Sequence, residues 1–191
     1  MVLGLCGKYC SGKSEAARFL GEDGWRVIDA DRLGHEVLEE RKAEVTAAFG
    51  EGILFPTGGV DRKKLGAIVF RNSAKLKTLE AIVHPSVGEK IQALLAASRE
   101  PTVIHAALLF SGGLDKLCDR IIIITAPLLD RVNRGLARDN LSILAVFRRI
   151  AKQRKLIPQS SFLPADTITV KNSGTRGNLR TNIKEAAARL R

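Results

Sequence analysis

The chain has 191 residues, 45% of them hydrophobic, and carries 31 Lys and Arg against 20 Asp and Glu, a formal net charge of +11. That length suits one domain, or one core with insertions, and folding at this size hides roughly 70% of the unfolded surface. No apolar run approaches the ~20 residues that span a bilayer, and no basic segment precedes an apolar one at the start, so neither a membrane helix nor a signal peptide is expected.

The run Val2-Leu3-Gly4-Leu5-Cys6 reads as a short buried strand. Gly7-Lys8-Tyr9-Cys10-Ser11-Gly12-Lys13-Ser14 follows, with the form G-x-x-x-x-G-K-S, and a helix is predicted from near Gly12 to Gly21. Between a strand's carboxyl end and a helix's N-terminus, such a loop turns several backbone N–H groups toward one point, where the helix adds partial positive charge. Gly7 and Gly12 let the backbone approach a polyphosphate, Lys13 reaches the β- and γ-phosphates, and the Ser14 hydroxyl suits Mg²⁺. The alternative is a glycine-rich turn that merely fits the pattern.

Gly24 turns the chain into a second strand, Trp25 to Asp29, giving a βαβ unit and a parallel sheet. Asp29 and Asp31 then stand beyond the strand's carboxyl end, where ligands of such sheets bind. A carboxylate there can orient a substrate hydroxyl and take its proton. Asp31 is the preferred candidate, and for Asp29 a solvated strand-end role stays open.

From Asp31 to Arg99 apolar residues recur at helical spacing: Leu33, Val37 and Leu38; Val45, Ala48 and Phe49; Leu65, Ile68 and Val69; Leu76, Leu79, Ile82 and Val83. Gly50 to Gly59 is expected to be a loop, and Pro85 to begin a further helix carrying Val87, Ile91, Leu94 and Leu95. This helical insertion is too long for a plain crossover. Thr102 to Phe110 is read as strand three and Asp119 to Thr125 as strand four, near-continuous apolar runs that suit strands covered on both faces.

Arg131 to Gln153 is predicted to be helical, interrupted at Asp139-Asn140-Leu141-Ser142, with Ser142 capping the second part. Arg131, Arg134 and Arg138 mark a lid over ATP, or else an exposed basic face; Arg148, Arg149 and Arg154 are read as surface. Pro158 to Pro164 is a loop, Thr167 to Lys171 strand five, Asn172-Ser173-Gly174 a turn, and Leu179 to Leu190 a closing helix. Cys6, Cys10 and Cys118 have no metal-ligand spacing and read as reduced thiols, which fits a cytoplasmic protein. Cys10 is either a small loop filler or an oxidisable thiol. The positive charge attracts polyanions, nucleic acid or phosphorylated small molecules, and one Trp and one Tyr argue against stacking on single strands.

Taken together these motifs resemble the dephospho-CoA kinases. The resemblance runs through Gly7 to Ser14, Val27-Ile28-Asp29-Ala30-Asp31, Leu33-Gly34-His35-Glu36-Val37, Phe49-Gly50, Val60-Asp61-Arg62-Lys63-Lys64-Leu65, Ile68-Val69-Phe70, Leu79-Glu80, His84-Pro85, Ala106-Ala107-Leu108-Leu109, Arg134, Arg138-Asp139, Gln153, Asn172 and Gly174. It implies an α/β fold: a P-loop three-layer sandwich with a parallel five-stranded sheet, a helical insertion and a lid. One domain then covers 1–191, with its core at 1–30, 100–130 and 160–191, a CoA-binding insertion at 31–99 and a lid at 131–159.

By the same resemblance, catalysis falls on Asp31 as base with Lys13, Arg134 and Arg138. ATP binding falls on Gly7, Lys8, Tyr9, Cys10, Ser11, Gly12, Lys13, Ser14, Glu15, Arg138, Asn172 and Gly174. Dephospho-CoA is assigned to Asp31, His35, Arg62, His84 and Leu108, and Mg²⁺ to Ser14. The chain departs from the family at Cys6, where Thr is usual, at Lys8 and Cys10, where glycines are usual, and at His105 and Ser111, where acidic residues are common. The expectation is an ATP-dependent kinase of dephospho-CoA, with no nucleic acid or membrane partner, as a monomer or small homo-oligomer. Another small-molecule P-loop kinase and a nucleic-acid-associated ATPase stand as alternatives.

Overall fold

Strand β1 spans Val2–Gly7 and is buried almost throughout, because it lies in the middle of a sheet. The computed structural model describes residues 1–153, 157–158 and 166–190. With β2 (Arg26–Asp29), β3 (Thr102–His105), β4 (Arg120–Thr125) and β5 (Thr167–Lys171), β1 forms a five-stranded sheet in the order β2-β3-β1-β4-β5. Every pairing is parallel, with Leu5 opposite His105 and Ile122, and Asp29 opposite His105. Parallel neighbours need crossovers, and β1 to β2 is joined by helix α1, Lys13–Glu22.

The chain divides into two compact units, Met1–Asp29 with Ser98–Arg191, and Ala30–Ala97. In the first, α1 buries Ala16, Ala17, Phe19 and Leu20, one stripe of its surface. These pack with strand residues Leu3, Leu5, Val103, Ile122, Ile124 and Val170. The last helix, α8 (Arg176–Arg189), adds Leu179, Ile183, Ala186 and Ala187 to the same core.

The second unit is helical. It contains α2 (Ala30–Glu40), α3 (Lys42–Phe49), α4 (Arg62–Val69) and α5 (Ser73–Ala96). Asp61 caps α4 through Lys63 N–H at 3.0 Å and Lys64 N–H at 3.1 Å, and Asn72 caps α5 in the same way. Leu38, Val45, Ile53, Val60, Leu65 and Val69 form its core. The segment Gly50 to Gly59 is more ordered than a plain loop: Glu51–Ile53 is a 3₁₀ turn and Leu54 bridges Val60 in antiparallel fashion.

Two expectations are corrected. Pro85 begins no new helix; α5 runs through it for 24 residues. A proline inside a helix forfeits one backbone bond and costs about 3 kcal/mol. Here Leu76, Leu79, Ile82 and Val83 before it pack on the core, and Val87 and Ile91 after it are buried, which holds both halves in one helix. Strand three also stops at His105, five residues short of Phe110. Ala106 N–H still reaches the Leu5 carbonyl at 3.1 Å, then the chain turns back, with Gly112 N–H on Leu108 O at 2.8 Å and Leu114 N–H on Leu109 O at 2.9 Å. Leu109 is fully buried inside that turn, so the apolar run records a buried loop rather than a longer strand.

The C-terminal third of the chain carries α6 (Leu128–Asp139) and α7 (Ile143–Lys152), broken at Asn140, with Ser142 capping α7 through Ala145 N–H at 3.3 Å. Arg154 and most of the loop expected at 158–164 lie outside the described residues.

Candidate active site

The loop between β1 and α1 is shaped by its backbone. Ser11 N–H closes a turn on Lys8 O at 3.0 Å, and Cys10 and Gly12 take φ of +56° and +98°. Left-handed residues interleaved with ordinary ones turn successive N–H groups inward, the arrangement of an anion nest. No Cβ fits at Gly7, where one would stand 2.5 Å from Ser11 Oγ and 2.8 Å from Ile124 O, nor at Gly12, where it would fall on Asn172 Nδ2. Gly12 caps α1 without a side-chain bond, so the first-turn N–H groups of α1 keep the positive end of the helix open to an anion. Cys10 meets the same backbone requirement without being glycine, which makes it a strained position.

Asn172 holds the loop from behind. Its side chain is buried, its Nδ2 donates to Ser11 O at 2.9 Å, and its own N–H donates to Thr125 O at 2.7 Å. Arg134 lies across both, with its guanidinium on Asn172 O and Oδ1 at 3.4 Å and on Cys10 O at 3.5 Å. A cleft of about 420 Å³ opens here, lined by Gly12, Glu15, Arg134, Asn172, Gly174, Arg176 and Leu179. It gathers Gly12, Glu15, Asn172 and Gly174 of the expected nucleotide contacts with Arg134 of the expected lid. Arg176, which pairs with Glu15, was not foreseen. The Arg18 and Arg176 guanidiniums hold the Glu15 carboxyl below its ordinary range, against the opposing effect of burial.

Helices α6 and α7 and the residue after them reach the loop through Tyr9. Its N–H donates to Gln153 Oε1, its carbonyl accepts from Arg131 Nε at 2.8 Å, and its hydroxyl donates to Asp139 Oδ2. Arg131 is buried at 8% exposure, so it braces the loop from within and does not lie on an exposed basic face. Burial lowers its pKa from the usual arginine value. Arg138 is exposed and bidentate on Asp139 at 2.7 and 3.2 Å. Arg149, expected to be plain surface, also bonds Asp139 at 2.7 Å. Arg138 first and then Tyr9 hold the Asp139 carboxyl down at about 2.

At the carboxyl ends of β2 and β3 a second cleft, of about 520 Å³, is lined by Ser14, Ala17, Arg18, Gly21, Glu22, Val27, Asp29 and His105. His105 is buried at the last position of β3, and its Nδ1 lies 3.7 Å from Asp29 Oδ2. Below the loop, burial pushes the Cys6 thiol up to about 12 although the Lys13 charge pulls the other way, and Cys118 is raised to about 12 by burial as well.

The remaining expected residues are placed as follows. Asp31 is exposed in the first turn of α2, which starts at Ala30 directly after β2, so it is helical and not an extended strand end. His35 is exposed one turn further on, Arg62 is exposed at the start of α4, and His84 is half-buried within α5. These four belong to the Ala30–Ala97 unit, whereas Leu108 lies exposed in the turn after β3. Among the described residues no group of three His, Cys, Asp or Glu side chains has the arrangement of a metal site, and no helix is long and apolar enough to cross a membrane.

Comparison with known proteins adds a family to this geometry. The family model described as "Dephospho-CoA kinase" matches residues 1–176. A Geobacter sulfurreducens protein named dephospho-CoA kinase is 36% identical over 195 residues, covering 98% of this chain and 98% of its own. The crystal structure of a Thermus thermophilus protein superposes with a TM-score of 0.84 at 30% identity, over 100% of this chain and 98% of that one. The Campylobacter jejuni dephospho-CoA kinase, at 24% identity and a TM-score of 0.67, covers 99% of this chain and 96% of its own and shares the fold.

Proposed function

The chain belongs to the dephospho-CoA kinase family, and from that premise we propose how its residues divide the work of moving the ATP γ-phosphate to the 3′-hydroxyl of dephospho-CoA. The observation that carries the reading is the loop itself: an uncapped helix N-terminus, a left-handed backbone at Cys10 and Gly12, and two glycines where no Cβ fits.

The β- and γ-phosphates of ATP lie in this nest, with Lys13 beside them. The base and ribose occupy the cleft between Gly12, Asn172, Gly174 and Arg176. Asp31 accepts the proton of the 3′-hydroxyl as that oxygen attacks the γ-phosphorus in line with the departing ADP. The bond to the new oxygen forms as the bond to the β–γ bridging oxygen breaks, and charge spreads over the transferred group. Lys13, the α1 N-terminus, Arg134 and Arg138 face that charge, an electrostatic contribution that needs no movement at the moment of transfer. On the acceptor side His35, Arg62, His84 and Leu108 are the proposed contacts.

The donor set also fits Mg²⁺. Ser14 offers an exposed hydroxyl in the first turn of α1, and this ion is usually held by one or two protein oxygens, phosphate oxygens and water. When bound it would neutralise phosphate charge. We further infer a monomer or small homo-oligomer working in the cytoplasm without nucleic acid or membrane; the three free thiols fit a reducing compartment.

A coupled ADP-release assay tests the reading with dephospho-CoA, adenosine, AMP and shikimate offered in turn. Release should depend on dephospho-CoA. Equal rates with adenosine or AMP would overturn the acceptor assignment.

A further inference from the structure

Tyr9 belongs to two parts of the protein at once. Its main chain is phosphate loop, while its side chain packs on the small core of helices α6 and α7 formed by Val132, Val146 and Ile150, a core that Leu136 also joins. Helix α6 approaches the ring at Gly135, where a Cβ would stand 3.0 Å from Tyr9 Cε1 and 3.1 Å from the hydroxyl oxygen. Above the ring lie two guanidiniums, Arg138 at 5.1 Å and Arg149 at 5.7 Å from its centroid. The hydroxyl donates to Asp139, the carboxylate that also receives Arg138 and Arg149.

This arrangement bears on Arg138 because of where α6 ends. Arg138 lies in the last turn, and Asn140, at φ +49°, closes the helix in the left-handed conformation. Last turns fray unless something holds them. A long arginine side chain carries about 2 kcal/mol of rotamer entropy, so its reach depends on a platform that fixes its direction. Asp139 fixes the guanidinium edge and the Tyr9 ring supports its face. Asp139 is in turn oriented by the Tyr9 hydroxyl. The two bonds to Asp139 use two of the five donors of Arg138.

We infer that the Tyr9 hydroxyl is a positioning group for phosphoryl transfer: through Asp139 it sets the direction of Arg138 from within the phosphate loop, so that loop and lid present one fixed array of charge. The inference rests on Arg138 meeting the nucleotide, as proposed above. Tyr9 touches the phosphates with its main chain only, and its side chain acts through Arg138.

The test is a cycle of Tyr9→Phe, Asp139→Asn, Arg138→Ala and the double variant Tyr9→Phe/Arg138→Ala, with kcat, both KM values and melting temperature measured. Tyr9→Phe keeps the ring, the packing and the support under both guanidiniums, and removes one bond to a charged group. It should lower kcat about tenfold, the usual scale of such a bond, and leave the KM for dephospho-CoA within about twofold. Asp139→Asn should do the same. In the Arg138→Ala background Tyr9→Phe should cost less than about twofold more, because partners in one chain of contacts are not additive. A merely structural role would multiply with Arg138→Ala instead of vanishing in its background. Wild-type kcat in Tyr9→Phe beside a slow Arg138→Ala, or full multiplication in the double variant, overturns the inference while leaving the lid reading intact. A silent Arg138→Ala overturns both.

Discussion

Gly12 shows how a single residue ties backbone to chemistry. Its φ of +98° and the Asn172 amide behind it both exclude a Cβ. Gly12→Ala should therefore lower stability by roughly 1–2 kcal/mol for the left-handed backbone alone and weaken ATP binding, read by chemical denaturation and nucleotide titration. An alanine variant of full stability and affinity would show that the loop has another route. Lys13 is the proposed chemical half. If its charge faces the transferred group as proposed, Lys13→Ala should keep the fold and lose roughly 10²- to 10³-fold or more in turnover; near-normal turnover in the folded variant would sink the loop assignment. The thiols differ by burial. Cys6 and Cys118 are raised to about 12 by it, and thiolates are the reactive form. Iodoacetamide at neutral pH should modify Cys10 ahead of the other two, as peptide mass spectrometry would show, and labelling of Cys6 at an equal rate would contradict its burial.

At the scale of elements, what sequence revealed and what it concealed separate cleanly. The loop-to-helix context, the Ser142 cap and the Thr167–Lys171 strand were legible because they depend on neighbours in the chain. The end of β3 was not, because whether an apolar run is strand or buried turn depends on where β1 stops pairing with it. Pro85 misled for a related reason: local propensity starts a helix there, and packing on both sides carries α5 through. Pro85→Ala should restore the missing donor toward the Ala81 carbonyl and relieve the ring, raising stability by about 1–3 kcal/mol. Unchanged or lowered stability would mean the unit is built around the proline. The end of α6 has a pH signature. The folded-state value of Asp139, about 2, lies below the ordinary carboxylate range, so its contribution is complete above about pH 4 and lost as pH falls through about 2. The melting-temperature gap between wild type and Asp139→Asn should shrink from pH 5 to pH 2; a constant gap would show that the charge is not what Asp139 contributes.

For the whole molecule, the positive balance of +11 has an ordinary use, since both substrates are polyphosphates. The phosphate loop could be read from eight consecutive residues, whereas Arg131, Tyr9 and Arg176 act through partners more than 120 positions away and left no local pattern. The spacing of Arg131, Arg134 and Arg138 did place three arginines on one helix, yet only contacts separate the buried brace from the others. Asp31 poses the same problem in reverse: the sequence singles it out, but as the end of a strand, and the chain is already helical there. That matters for its partner. In an extended segment Asp29 and Asp31, two residues apart, would point to the same side, whereas in fact Asp29 ends β2 beside His105 and Asp31 opens α2. Their roles are therefore tested separately. Asp31→Asn keeps size and hydrogen bonding but cannot take a proton. It should leave ATP affinity near normal, because the loop lies in the other unit, and lose roughly 10²- to 10⁴-fold in kcat with dephospho-CoA. Arg62→Ala and His84→Ala, in the same unit as Asp31, should instead raise the KM for dephospho-CoA with ATP affinity kept. Full activity in Asp31→Asn would place the base elsewhere, with Asp29 next in line. Lost ATP affinity with unchanged kcat would make Asp31 part of the metal and phosphate environment, and the proposed assignment of Asp31 as base would fall with it.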